Sequence, residues 1–338
     1  MILFYLSIPL ESKRVIFIPK GSTNHIISYL NKNNFGLNFI DTVFIKFIGY
    51  PQNGWIDLES TKMTKYDFLY KICTSKAALR NVTLIPGETY YYFLEDIAKQ
   101  LHIDFDELLK VYHQNKYKED GNILSQTYSL PIGMRPEEVI KYLFNYTQNE
   151  YIKYSNKIFG KYEKENWYKY IIIASIIQKE SANKDEMPIV ASVIYNRLEK
   201  NMHLQMDGTL NYGKNSHTAI TSQMIKEDTS SYNTYKNKGI PSNPICAVEF
   251  DSIKSAIFPK KTNYLYFVKS ANEDKHIFSS QYKLHKIHVN KYKKALRKQK
   301  KENKVAQKPI KKLHNETINV KNTQEKSLKD LWKNVKTN

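Results

Sequence analysis

Two stretches of the chain share one hydrophobic pattern. Val15 to Leu30, VIFIPKGSTNHIISYL, and Val82 to Ala98, VTLIPGETYYYFLEDIA, each run from an apolar, β-rich segment through Ile-Pro and a glycine with Ser or Thr close by into helical spacing. Proline ends the strand, glycine allows the turn, and the hydroxyl or carboxylate that follows can cap the helix. A repeated strand-turn-helix unit is therefore predicted. Between the two, GWIDLES reads as a strand and TKYDFLYKICTSKA as a helix. From Asp104 to about Trp167 the apolar residues recur at three and four, in DFDELLKVYHQ and in RPEEVIKYLFNYTQNEYIKYSNKIFGKY, with the strand-like loop DGNILSQTYSLPIGM between them. Tyr168 to Ser181 continues as a helix, and NKDEMPIVASVIYNRLEKN begins the next. Asn183 with Glu186 matches a capping box, Pro188 falls in the first turn, and Ile189, Val193, Ile194 and Leu198 form the expected buried face. These elements predict an α+β protein, with a small N-terminal β/α domain followed by a domain of mixed helical and β structure.

One carboxylate interrupts this pattern. In ASIIQKESA, residues 174–182, Glu180 follows Ile176 by four residues and Ile173 by seven, so all three project from one face. Poor solvation on such a face disfavours the charged form and raises the pKa, which makes a general acid at neutral pH. A glutamate marking the solvated end of the stripe is the competing reading.

Composition bounds the partners. With 338 residues, 41% hydrophobic and 13% aromatic, the chain is globular and long enough for two cores. The net charge of +19 is uneven, because residues 291–338 hold 16 Lys/Arg against 4 Asp/Glu. A basic, polar tail of this kind reads as a solvated segment rather than as a nucleic-acid interface, which would show cations interleaved with aromatics on a folded face. Cys73 and Cys246 have neither metal nor redox spacing and are expected to be packing residues. His285 and His288 could share a helix face, but with no third ligand in view they are expected to be surface residues; no cofactor and no metal is expected. The opening MILFYLSIPL is too short to span a bilayer as a helix, which takes about 20 residues. It is read either as a first strand or as the end of an anchor.

After the second of these helices, LQMDGTLNYG supplies Gln205, Asp207, Thr209 and Tyr212, and YNTYKNKGIPSNPI supplies Asn233 and Tyr235. Aromatics interleaved with amides and hydroxyls suit a sugar cleft, stacking on ring faces while bonding the rim.

Taken in order, ASIIQKES, VASVIYNRL, LQMDGTLNYG, YNTYKNKGIP and YLYFVKS resemble the endolytic murein transglycosylase family (MltG, or YceG-like), over roughly residues 11 to 290. The resemblance implies that Glu180 is catalytic and that the N-terminal part carries a LysM-like, peptidoglycan-binding unit, best matched from Val82 to about Leu101. Gln205, Asp207, Tyr212, Asn233 and Tyr235 become candidate substrate contacts. It also implies a domain order: residues 1–10 the end of a membrane anchor, 11–118 the N-terminal domain, 119–290 the catalytic domain, and 291–338 a disordered basic tail. The implied setting is the bacterial inner membrane with the catalytic part in the periplasm, acting on peptidoglycan glycan strands near peptidoglycan synthases. In the implied chemistry Glu180 cleaves the MurNAc-GlcNAc bond and leaves a 1,6-anhydro end. A hydrolase using Glu180 with Asp207, or a non-catalytic wall-binding protein, are the alternatives. The sequence departs from the family pattern at Gly208, where a proline is usual, and at Ser242 and Asn243 in GIPSNPI. AVEF, SQTY and the pair His285-Lys286 also depart from it.

Overall fold

A computed structural model describes residues 2–298; apart from residues 291–298, the basic tail lies outside the described residues. Helix α1 (Ile2–Leu6) and strand β1 (Pro9–Glu11) precede a strand-helix-helix-strand unit made of β2 (Val15–Ile18), α2 (Thr23–Lys32), α3 (Phe39–Ile48) and β3 (Gly54–Asp57). Strands β2 and β3 are antiparallel, with Val15 opposite Asp57 and Ile18 opposite Gly54. Strand β4 (Lys62–Thr64) pairs back onto β1, and α4 (Lys65–Thr74) follows it. Ile16, Ile18, Ile26, Leu30, Ile45 and Ile56 meet Phe68 and Ile72 in one core. Leu6 and Leu10 join that core, and Tyr5 donates to Asp41 at 2.7 Å, so the opening segment is built into this domain from Tyr5 onward. Among the described residues no helix is long and apolar enough to cross a membrane.

The second unit repeats the plan. Strand β5 (Leu79–Thr83), helices α5 (Tyr90–Leu101) and α6 (Phe105–Asn115), and strand β6 (Thr127–Pro131) form it, with Leu79 opposite Pro131 and Thr83 opposite Thr127. The internal repeat in the sequence is thus a repeat of two strand-helix-helix-strand units. A boundary at 118/119 would cut between α6 and β6 and separate paired strands, so it is corrected: this unit extends to Pro131. Its core also takes Val139, Ile140 and Leu143 from α7 (Pro136–Phe159). About two turns further along the same face, Tyr151 packs in the next core, so α7 serves both.

Caps follow the residue chemistry in α2, where Ser22 accepts from His25 N–H at 3.3 Å, and in α6, where Asp104 accepts from Glu107 N–H at 2.8 Å. Helix α5 differs. Thr89 occupies its N-cap position without a side-chain cap, and Asp120, 30 residues away, accepts from Tyr90 N–H at 3.0 Å instead. The Thr89 hydroxyl is thereby free to donate to the Gly213 carbonyl at 2.9 Å.

The remaining elements follow α8 (Lys164–Glu180). They are α9 (Met187–Glu199), α10 (Ser222–Glu227), α11 (Phe250–Ile257), the antiparallel hairpin β7 (Tyr266–Lys269) with β8 (His276–Ser279), and a helix over 282–298. That last helix runs past residue 290, so the segment expected to be disordered begins with at least eight helical residues. Every residue from Ile171 to Ile177 is buried, so the centre of α8 is enclosed on all sides rather than along one stripe. Each buried isoleucine there contributes about 2 kcal/mol. In α9 the buried apolar residues are Met187, Val190, Ala191, Val193 and Ile194, joined by Ser192 and Arg197, while Ile189 and Leu198 lie only partly covered. Both α8 and α11 pack on this helix, and on each other. Cys73 and Cys246 are both buried free thiols, as their spacing suggested. His285 and His288 are not surface residues: both are half-buried, and His285 stacks on Tyr266 at 5.2 Å.

The two units meet through backbone and one indole. Ala78 N–H donates to the Trp55 carbonyl at 2.8 Å, and Ile132 N–H donates to the Ala78 carbonyl at 2.9 Å. Gly133, at φ +83°, lies so close that a Cβ there would overlap the Trp55 ring. Gly133→Ala therefore combines a left-handed backbone with a clash against a rigid side chain, a loss on the order of 2 kcal/mol or more. We expect its thermal unfolding midpoint to fall by several degrees in calorimetry; an unchanged midpoint would show that this contact does not join the units.

Candidate active site

Glu180 lies where the enclosed stretch of α8 ends. Gln178, Lys179 and Glu180 are partly exposed, and at Ser181 the chain turns to an extended conformation. A short 3-10 turn, Lys184–Glu186, follows, capped by the Asn183 side chain, which accepts from Glu186 N–H at 3.1 Å. Only this half of the expected capping box forms. The Glu186 carboxylate accepts instead from Ala182 N–H at 3.3 Å and His276 N–H at 2.6 Å, and it pairs with His276 Nδ1 at 2.8 Å. Strand β8 is thus tied to the turn directly after the acid.

Opposite Glu180 runs the loop from Leu204 to Gly213, pinned by buried Leu204, Met206, Thr209 and Leu210. Within its 3-10 turn, Asp207–Leu210, Gly208 N–H donates to Glu180 Oε1 at 2.8 Å. A Cβ on Gly208 would lie 2.8 Å from both Oε1 and Lys179 Cβ, so glycine is what permits this approach. Burial pushes the Glu180 carboxyl up to about 7. The Gly208 N–H pulls in the other direction, the Asp207 charge pushes further up, and Arg197 pulls down.

Arg197, which the sequence reading passed over, is the buried cation of the site. Its guanidinium donates to the carbonyls of Leu265 and Leu204, both at 2.6 Å, and lies over the Tyr266 ring at 5.2 Å. Burial lowers its pKa, while Tyr266, Tyr235 and Glu180 hold it up. An arginine closing the otherwise apolar ASVIYNRL face was the available signal.

The remaining candidates divide. Tyr235 OH donates to Asp207 Oδ1 at 2.5 Å, and its own pKa is raised by burial and by Asp207, with Glu180 close enough to add to the effect. Asp207 is exposed beside the acid and is held by that tyrosine. Gln205 is exposed at φ +48°, with its N–H bonded to the Thr234 carbonyl at 3.1 Å. Tyr212 stacks on Tyr232 at 3.9 Å and donates to Asp228 at 3.2 Å. Asn233 is corrected from a substrate contact to a structural residue. It is fully buried, donating to the carbonyls of Ile225 and Asp228 at 2.9 and 2.8 Å and accepting from Tyr235 N–H at 3.1 Å. With its polar atoms occupied, it shapes the turn that presents Tyr235.

The second unit grips the far end of this loop. Besides the Thr89 contact, Tyr92 OH donates to the Lys214 carbonyl at 2.9 Å, and the Tyr92 ring stacks on His217 at 3.8 Å. His217 Nε2 lies 2.8 Å from Glu88 Oε2, and Lys179 Nζ donates to Ser216 Oγ at 2.8 Å. Loop, second unit and acid-bearing helix are thus fastened together. A carboxyl of near-neutral pKa, partly open, beside an aromatic and amide-lined loop is equipped to give a proton to a bridging oxygen and take one back.

The chain belongs to the YceG-like family, whose model matches residues 16–291. Among curated proteins it is similar to the endolytic murein transglycosylase of Bacillus subtilis (strain 168), 28% identical over 305 residues, covering 82% of this chain and 84% of that one. The endolytic murein transglycosylase of Streptococcus pneumoniae (strain D39) is 29% identical over 179 residues, 52% of this chain and 32% of the longer relative. The crystal structure of a yceG-like protein, lmo1499, from Listeria monocytogenes has the same fold. Its TM-score is 0.53 at 24% identity, over 82% of this chain and 99% of that one.

Two predictions follow from the placement of these side chains. A carboxyl raised from 4.5 to about 7 in the folded state favours folding fully below pH 4.5, and that contribution is lost as the pH rises through 7. Glu180→Gln should therefore melt close to wild type at pH 4.5 and several degrees above it at pH 8; parallel melting curves across that range would contradict the assigned environment. Asn233→Ala should cost on the order of 2 kcal/mol in chemical denaturation, by leaving buried groups unpaired, whereas Gln205→Ala should leave stability unchanged.

Proposed function

We propose that the chain is an endolytic peptidoglycan lytic transglycosylase, cutting the MurNAc-GlcNAc bond within glycan strands with Glu180 as the single acid and base. The observation that carries the reading is the Glu180 carboxyl itself: partly open, held by Gly208 N–H, with its pKa raised to about 7. The names of the Bacillus and Streptococcus relatives support it.

Protonated Glu180 gives its proton to the glycosidic oxygen as the C1–O bond breaks, and an oxocarbenium-like centre develops on the muramic ring. The resulting carboxylate then takes the proton of the muramic 6-hydroxyl while that oxygen bonds to C1. The products are a 1,6-anhydro end and a free GlcNAc hydroxyl, with the acid restored and no water consumed. In the carboxylate stage Gly208 N–H and Arg197 stabilise the charge, each opposing burial. Asp207, held by Tyr235, adds negative potential facing the cationic centre, and Gln205, Tyr212 and Tyr235 line the path of the strand.

The second unit, Leu79–Pro131, is the proposed LysM-like peptidoglycan-binding module. Its strand-helix-helix-strand order and its grip on the Gly213–His217 loop support this role. Cutting nascent strands would end their elongation, which calls for a synthase nearby and for work at the wall-facing side of the membrane. An anchor for that purpose would lie upstream of Tyr5, since Leu6 and Leu10 are occupied in the N-terminal core.

Mass spectrometry of muropeptides released from purified peptidoglycan should find 1,6-anhydro ends, and Glu180→Gln should reduce their release by at least about a thousandfold. Reducing ends would point to hydrolysis with Asp207 instead, and no release at all would leave a wall-binding protein. Because cleavage begins from the protonated acid, kcat/KM should decline as the pH rises past about 7, with the alkaline limb absent from any residual activity of Glu180→Gln.

A further inference from the structure

Helix α3 keeps only one face in the core. Asp41, Thr42 and Ile45 are buried, and Asp41, the sole carboxylate of the helix, is turned inward, accepting from Tyr5 OH and lying 3.7 Å from Lys65 Nζ. The outward residues are Phe39, Ile40, Val43, Lys46 and Phe47, with Phe39 78% and Phe47 85% exposed. They recur at one, four, seven and eight residues from Phe39, an apolar stripe about 12 Å long broken by a single lysine.

Neighbouring elements extend the same surface. Tyr5, in α1, reaches the first turn of α3 through its hydrogen bond to Asp41, and its neighbour Phe4 is 77% exposed. On the side of α4, Tyr66 meets Phe44 at 6.0 Å and stacks with Tyr70 at 6.1 Å, and both tyrosines are exposed. Lys32, at the end of α2, lines a groove together with Phe39, and Asn24, Ser28, Asn31 and Asn38 give that margin a polar rim. Aromatic and aliphatic side chains in the centre, lysines within and at the edge, and no carboxylate on the outward side of α3 define the patch. Monomeric soluble proteins rarely expose contiguous apolar surface of this kind without using it.

We propose that this face of the N-terminal domain docks on a phospholipid surface, with Phe39 and Phe47 entering the acyl boundary and Lys46 and Lys32 reaching anionic headgroups. The charge favours it, since both outward charges are cationic, as an anionic bilayer requires. Hydrogen-bonding capacity favours it as well. A protein interface of useful size carries about one hydrogen bond per 100–200 Å², yet lysine is the only polar group on the outward side of α3. Tyrosines at the margin suit the headgroup level, apolar on one side and wet on the other. The docking does not depend on Glu180, so it stands or falls separately from the catalytic reading.

Co-sedimentation of the full chain with vesicles tests it, using phosphatidylcholine alone and phosphatidylcholine mixed with phosphatidylglycerol, at low and high salt. The lysine-rich residues beyond 298 are drawn to anionic vesicles by charge alone, and salt suppresses that contribution. Binding to the mixed vesicles should therefore weaken in high salt but persist, and Phe39→Ser with Phe47→Ser should lower the persistent part by about tenfold or more. Release of anhydro ends from soluble glycan should not change in this variant. Should the double variant fold poorly, Phe47→Trp provides a second readout: its emission should shift to the blue on adding vesicles and be quenched by brominated lipid. Equal vesicle binding by wild type and variant, complete loss of binding in salt, or a Trp signal blind to lipid would overturn the proposal. So would a concentration-dependent dimer in sedimentation equilibrium that the double variant abolishes, which would make the face an interface between copies of the chain.

Discussion

A carboxyl group largely withdrawn from water is tolerated only if something else meets its charge, and here the first such group is one backbone N–H. Gly208 approaches Glu180 to 2.8 Å because it has no Cβ, and the loop around it exists to deliver that amide. Thr234 holds the Gln205 and Met206 amides, Thr209 bonds Thr234 and the Met206 carbonyl, and buried Leu204 and Leu210 pin the ends. Around this contact the protein balances two opposed demands. Burial makes the acid reluctant to ionise, while the amide and Arg197 make ionisation affordable, leaving a group that can both release and accept a proton near neutrality.

Features carried by local chemistry were legible in the sequence. The punctuation Ile-Pro with Gly and a hydroxyl marked the start of both repeated units, and the isoleucines before Glu180 marked a helix that would hide a carboxylate. Features depending on residues far apart were not. That β5 closes on β6 is settled by pairing across more than 40 residues, and neither strand announces its partner. The donor to Glu180 lies 28 residues downstream, so Gly208 read only as an oddity in a loop. Asn233 looked like a ligand because an amide in a polar, aromatic stretch is equally good at bonding sugar or backbone; only burial decides, and it decided for backbone. Arg197 was missed for the opposite reason. An arginine at a helix end suggests solvent, but three carbonyls gather its guanidinium inside.

The N-terminal half shows one plan put to two uses. Both strand-helix-helix-strand units have a closed apolar core, yet they differ in what their outer surfaces offer. The first leaves phenylalanines and a lysine on α3, whereas the second spends its α5 terminus on the loop that follows Gly208. The duplicated architecture has kept its order of strands and helices, while the strand shifts against the Ile-Pro motif: Ile18 is paired and buried, whereas its counterpart Ile85 lies beyond β5 and is exposed.

The exchange of caps on α5 has a mechanical result. Since Asp120 satisfies the Tyr90 amide, Thr89 can reach across to Gly213, and with Tyr92 and Glu88 it rivets the second unit to the loop that bears Gly208. Any shift of that unit is therefore transmitted through Gly213 to the short turn whose amide meets Glu180, so the two cannot move independently.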